Sequence, residues 1–228
     1  MRIPYRITRL FERFRDRTSA TFFEAKYQER ADPWDFQSNA YERHRYETIL
    51  AALAHRRYKR AFEPGCSIGV LTEKLAGICD AVEACDLSPT AIEQARKRCA
   101  HLPHAHFTVE GLTKRSAAQT MSSDSFDLVL LSEIGYYFKL PVLGRLVSAL
   151  VTPLPSGPTL LASHWLGTSD DHVLSGDQVH ETLLEHPMLR HEEGQRHENF
   201  GWTGSPAYRP PPHMHPSRIL LCGRSRTS

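Results

Sequence analysis

The sequence predicts a doubly wound α/β sheet, and three observations carry the prediction. Short apolar runs alternate with helical patterns over residues 58–165, an order that puts helices on both faces of a mostly parallel sheet. A tight small-residue turn, Glu63-Pro64-Gly65-Cys66-Ser67-Ile68-Gly69, joins the first run to the first helix. An acid, Asp86, closes the second run 21 positions after Gly65.

Residues 58–62 read as the first strand, and Val70, Leu71, Lys74 and Leu75 recur at helical spacing just after the turn. Gly65 suits a positive φ and Gly69 close helix packing. The second strand covers residues 81–85. Behind Asp86 and Leu87, Ser88 is a natural N-cap and Pro89 fits the first helical position, so a helix starts there. Residues 106–110 read as a third strand. Residues 126–133 make a fourth, apolar on both faces as a central parallel strand should be. An amphipathic helix over 142–151 and a fifth strand over 159–165, after the turn at 155–158, complete the alternation.

The turn separates two cofactor classes. A dinucleotide fingerprint needs a third glycine or alanine near position 70, which is valine here, and no Tyr-x-x-x-Lys pattern supports an oxidoreductase. Read from Glu63, the segment resembles the E/D-x-G-x-G-x-G signature of S-adenosylmethionine (SAM)-dependent methyltransferases, with Ser67 in the middle glycine's place. That departure is mild if Ser67 takes ordinary dihedrals and serious if the position needs φ above zero. Asp86 stands where such sites grip a ribose through its hydroxyls.

Further segments narrow the resemblance. Asp32-Pro33-Trp34-Asp35-Phe36, Tyr41-Glu42-Arg43 with Tyr46, the glycine turn, Asp86 to Ala91, Leu131 to Tyr137, His164-Trp165 and Leu174 to His180 together resemble the NodS family of nodulation N-methyltransferases. The match covers roughly residues 22–190. It implies a Rossmann-like, mostly parallel seven-stranded sheet ending in a hairpin, with SAM as cofactor. It also implies methylation of the free amine on the non-reducing-end glucosamine of a deacetylated chitooligosaccharide. Another small-molecule acceptor, or a decayed SAM-binding protein, is the alternative.

A domain over residues 22–200 is expected, flanked by a basic amphipathic helix at 1–21 and an atypical tail at 201–228. In the first segment Ile3, Ile7, Leu10, Phe11 and Phe14 share a helical face beside six arginines. The tail carries Pro206, Pro210 to Pro212 and Pro216, so a weak or missing final strand pairing is expected.

The chain has 228 residues and 28 Lys plus Arg against 26 Asp plus Glu, so no general polycation awaits nucleic acid. The five cysteines lack a C-x-x-C pair and read as free thiols. No apolar run approaches the roughly 20 residues that cross a bilayer, and the N-terminus lacks an apolar signal core, so a cytoplasmic enzyme is expected. The sequence sets no oligomeric state.

SAM carries an activated methyl group, so the protein's task is to align an electron pair with it and exclude water. Groups beyond the carboxyl ends of strands four and five are placed for that: Glu133, Tyr136, Tyr137, His164 and Trp165. Glu133, Tyr136 and His164 are the catalytic candidates, with His164 as the base that frees the amine. Duller roles compete, since Glu133 can be a surface acid, His164 a bridge between layers and the tyrosines core aromatics. His180 reads as an exposed helix residue. On the cofactor side stand Glu63, Gly65, Cys66, Ser67, Gly69, Asp86, Leu87, Glu110 and Ser132, with Trp34 and Arg45 closing over SAM. The histidines lack carboxylates at metal-ligand spacing, so no metal is expected. The expected partner is an amine acceptor, a small molecule or an oligosaccharide.

Overall fold

The computed structural model describes residues 19–112, 126–151, 159–196 and 217–224. Helices α1 (Ala20–Glu29) and α2 (Ala40–Leu53) precede β1 (Tyr58–Pro64), α3 (Val70–Leu75), β2 (Cys79–Asp86), α4 (Pro89–Arg98) and β3 (Ala105–Val109). Then come β4 (Leu128–Ser132), a 3₁₀ turn (Gly135–Tyr137), α5 (Leu140–Val151), β5 (Thr159–Trp165), α6 (Gly176–Leu184), β6 (Leu189–Arg196) and β7 (Ser217–Arg224).

The strands form one sheet in the order β3-β2-β1-β4-β5-β7-β6. Strand order reverses between β1 and β4, so the loops leaving these strands diverge and open a crevice at their carboxyl ends. The local signals work as the sequence predicts. Ser88 caps α4 by accepting the Ala91 N–H, with Pro89 at the first helical position.

All five β4 residues are buried, and alternation splits them between two cores. Leu128 and Leu130 pack with Ile49 and Leu53 of α2 on one face. Val129 and Leu131 pack with Leu143 and Val147 of α5 on the other. Each fully buried leucine contributes about 1.5–3 kcal/mol, so the central strands hold the crevice rigid.

The carboxy-terminal strands depart from the expectation in two ways. There is no closing hairpin, since β7 lies between β5 and β6 and pairs with both in parallel. The final pairing is present rather than missing, because the prolines counted against it all precede Ser217 and none interrupts the ladder. The basic segment 1–18 and the proline-rich stretch 201–216 lie outside the described residues.

Candidate active site

β1 feeds a turn whose alternate residues are left-handed: Gly65 at φ 73°, Ser67 at φ 52° and Gly69 at φ 77°. A Cβ on Gly65 would stand 2.3 Å from Ile134 Cγ2, and one on Gly69 3.0 Å from the Ala95 Cβ of α4. Ser67 therefore sits where positive φ is required, the serious case, at about 1–2 kcal/mol of strain. Its own groups offset that strain. The Tyr27 hydroxyl of α1 donates to Ser67 Oγ at 2.6 Å, and the Ser67 N–H donates to Asp86 Oδ2 at 3.0 Å. A neutral bond of this kind contributes about 1 kcal/mol and one to a carboxylate about 1.5–3, enough together to hold the strained residue.

Asp86 closes β2 and braces the turn. Its Oδ1 accepts the Ser88 N–H at 3.0 Å, which ties the start of α4 to the same carboxylate. Burial pushes its pKa up against the backbone donors of Ser88, Ser67 and Leu87. Glu63 is buried and accepts from the Thr72 hydroxyl at 2.6 Å, with burial pushing its pKa up to about 7. Arg45 of α2 is also buried. It donates from Nε and Nη2 to Glu42 Oε2 at 2.9 and 2.6 Å and from Nη1 to Ser132 Oγ.

These groups border a cavity of about 960 Å³ at the crevice. Trp34, Arg45, Glu63, Gly65, Cys66, Ser67, Asp86, Leu87, Glu110, Ser132, Glu133 and Tyr136 all line it, as do Tyr137 and Trp165. The volume lies at the upper end of the usual range for ligand sites, roughly 300–1,000 Å³. The residues fit SAM. The bare backbone at Gly65 permits close approach, and a Cβ on Gly111 would fill the space beside Leu87. Asp86 keeps a lone pair for a hydroxyl donor after accepting its backbone amides.

Two of the predicted residues lie elsewhere. Gly69 does not border the cavity and serves the contact between α3 and α4. His164 is fully buried behind Tyr136 and does not border it either. The Gly135 N–H donates to His164 Nε2 at 3.0 Å, so the ring's proton resides on Nδ1, 3.1 Å from His180 Nε2. Both nitrogens are engaged, and burial holds the pKa well below the usual range. This geometry sets His164 away from the cavity, where the base of the amine was expected, and makes it an anchor of the 3₁₀ turn that carries Tyr136 and Tyr137. His180 is its partner rather than an exposed helix residue.

Glu133, by contrast, sits on the cavity wall at φ 57°, its N–H donating to Ser163 O at 2.9 Å. Tyr136 donates to its Oε2 at 2.8 Å, while Oε1 is buried without a hydrogen bond among the described residues. Burial pushes the Glu133 pKa up, and the Arg45 guanidinium opposes the rise. His172 was not singled out from the sequence, yet it lines the cavity with its ring stacked on Tyr136 at 3.7 Å. Its signal was position alone, in the connection beyond the carboxyl end of β5.

Comparison with known proteins accords with this geometry. The family model for nodulation protein S (NodS) matches residues 22–161. The nodulation protein S of Sinorhizobium fredii is 33% identical over 168 residues, 68% of this chain and 73% of the relative. The crystal structure of N-methyltransferase NodS from Bradyrhizobium japonicum WM9 with S-adenosyl-L-homocysteine (SAH) aligns at 27% identity and TM-score 0.51, over 57% of this chain and 64% of that one. A structure of the same protein described without SAH aligns at 26% identity and TM-score 0.56, over 64% and 83%. A relative solved with SAH bound thus shares this fold, and this chain belongs to the nodulation protein S family.

Proposed function

We propose that this chain transfers the methyl group of SAM to the free amine of a deacetylated chitooligosaccharide, in the cytoplasm and without a metal. Family membership carries the cofactor and the class, N-methyl transfer. The acceptor and the residue roles are inferred. The observation that carries them is one cavity bordered both by the positive-φ turn beside Asp86 and by the buried Glu133 carboxylate, whose Oε1 makes no hydrogen bond among the described residues although the Trp165 backbone N–H faces the carboxylate.

SAM, when bound, supplies a methyl group already activated on a sulfonium. Asp86 takes a ribose hydroxyl on its remaining lone pair, with Leu87 and Glu110 beside the base. Gly65 and Cys66 offer close backbone approach, while Arg45, Glu63, Ser132 and Trp34 bound the rest. Glu133 accepts an amine N–H at Oε1, and Tyr136 holds the carboxylate in place. An amine with a reference pKa of about 8 is partly neutral at pH 7, so the site needs to remove only one modestly held proton. Helix α1 limits water at the mouth, with Phe23 edge-on to Tyr137 at 5.0 Å and Glu24 accepting from Ser88 and Thr90 of α4.

Mass spectrometry of products from deacetylated chitooligosaccharide, after exhaustive chelation, tests the reading. A gain of one methyl supports it. Methylation only of other amines would move the acceptor, transfer only to hydroxyl or carboxyl groups would overturn the nitrogen assignment, and SAH binding without turnover would mark a decayed enzyme.

A further inference from the structure

We infer that His172 is the group that takes the proton from the acceptor amine. The inference rests on the N-methyl-transfer reading and assigns its proton step to a residue of the connection between β5 and α6.

Two histidines flank Tyr136, and the contrast between them decides the assignment. His164 meets the tyrosine edge-on at 5.5 Å, lies away from the cavity and has both nitrogens engaged. His172 stacks flat on it at 3.7 Å and 18°, lines the cavity, and neither ring nitrogen bonds a described residue. Its Nδ1 is enclosed, which leaves Nε2 as the accessible nitrogen.

The ring is nevertheless held firmly. Tyr137 and Trp165 meet it edge-on at 5.4 and 5.8 Å. The Val173 and Leu174 N–H groups both donate to Tyr136 O, at 2.8 and 3.0 Å, clamping the loop to the 3₁₀ turn. The titratable groups around the ring are Asp171 on its own loop, Tyr136, Tyr137 and, beyond Tyr136, His164 and Glu133. Burial lowers the pKa of His172, so the ring is neutral and able to accept at pH 7, while the Asp171 carboxylate favours the imidazolium once it forms.

An ammonium acceptor brings three N–H bonds. Glu133 Oε1 accepts one as a hydrogen bond, and Nε2 of His172 removes the proton of a second. The freed electron pair forms the N–C bond as the methyl's bond to sulfur breaks, and that bond's pair stays on sulfur. The product leaves as a secondary ammonium.

The test uses the full chain with SAM and deacetylated chitooligosaccharide. His172→Gln should lower kcat by about 100-fold at pH 7, the lower range for loss of a general base. The deficit should shrink as pH passes about 8, where the amine arrives neutral, while the Kd for SAH stays unchanged. Independently of any variant's folding, the His172 ring resonances of the wild-type SAH complex, followed by ¹³C NMR at pH 7, should shift when the acceptor binds, as Nε2 takes a hydrogen bond from the ammonium. A deficit constant from pH 6 to 9, or ring resonances that the acceptor leaves unmoved, would overturn the assignment. Wild-type enzyme that methylates no amine would instead sink the N-methyl-transfer reading and this inference with it.

Discussion

Around the glycine turn the polar groups find partners inside the protein: Asp86 takes the Ser67 and Ser88 amides, Ser67 Oγ takes the Tyr27 hydroxyl, and Glu63 takes Thr72. Across the cavity, Glu133 Oε1 and the His172 nitrogens have none among the described residues. The first region is complete without a ligand and holds its shape through its own bonds. The second carries open polar groups that a hydroxylated, amine-bearing acceptor would satisfy. Preorganisation on one side and unfilled bonding on the other is what an enzyme needs when it grips a cofactor rigidly and receives a second substrate beside it.

The strongest way to break the comparison is to spoil the turn. Gly65→Val adds a side chain at φ 73° with its Cβ against Ile134. Strain of about 1–2 kcal/mol and overpacking of about 1–3 should combine to about 2–5 kcal/mol of lost stability in chemical denaturation, with SAH binding weakened by the side chain that intrudes on the turn. Asp86→Ala should lose about 1.5–3 kcal/mol of SAH affinity, read by calorimetry, since it removes a carboxylate that also braces Ser67 and Ser88. Unchanged SAH binding in that variant would show that the ribose is held elsewhere.

Smaller effects sharpen the account. Tyr27→Phe strands Ser67 Oγ and should cost about 1 kcal/mol in chemical denaturation, whereas Ser67→Gly should be close to neutral, since relief of strain offsets the lost bond. A double-mutant cycle of the pair measures the coupling directly. An effect of similar size comes from His164. Its folded pKa is depressed, so the unfolded chain binds more protons below about 6.5, and stability is full above that value and falls as pH drops. From pH 8 to 6 this group alone should remove about 0.8 kcal/mol, and His164→Gln should abolish that slope.

The same contrast explains what the sequence made legible. The glycine turn, Asp86 and the cap at Ser88 lie within a stretch of 26 residues, and their roles follow from local backbone demands, so spacing reveals them. The sequence also shows Ser67 in a glycine's place, although the partner that holds it there, Tyr27, lies 40 positions away and carries no local mark. The aromatic region is assembled from the ends of β4 and β5 and the loop after β5. Alternation along β5 does not reveal that His164 faces the 3₁₀ turn while His172, in no regular element, reaches the cavity. The parallel placement of β7 likewise depends on long-range pairing, which proline counting in the preceding stretch does not report.

The most direct test of the division between the two regions is Glu133→Gln, with SAH affinity and methyl transfer to deacetylated chitooligosaccharide measured on one preparation. The account predicts SAH affinity within about 2-fold of wild type and kcat lower by about 10- to 100-fold, because the substitution keeps the side chain's size and removes only the charge that orients the amine. SAH affinity that falls by the same factor as turnover would contradict it, and would place Glu133 with the cofactor rather than the acceptor.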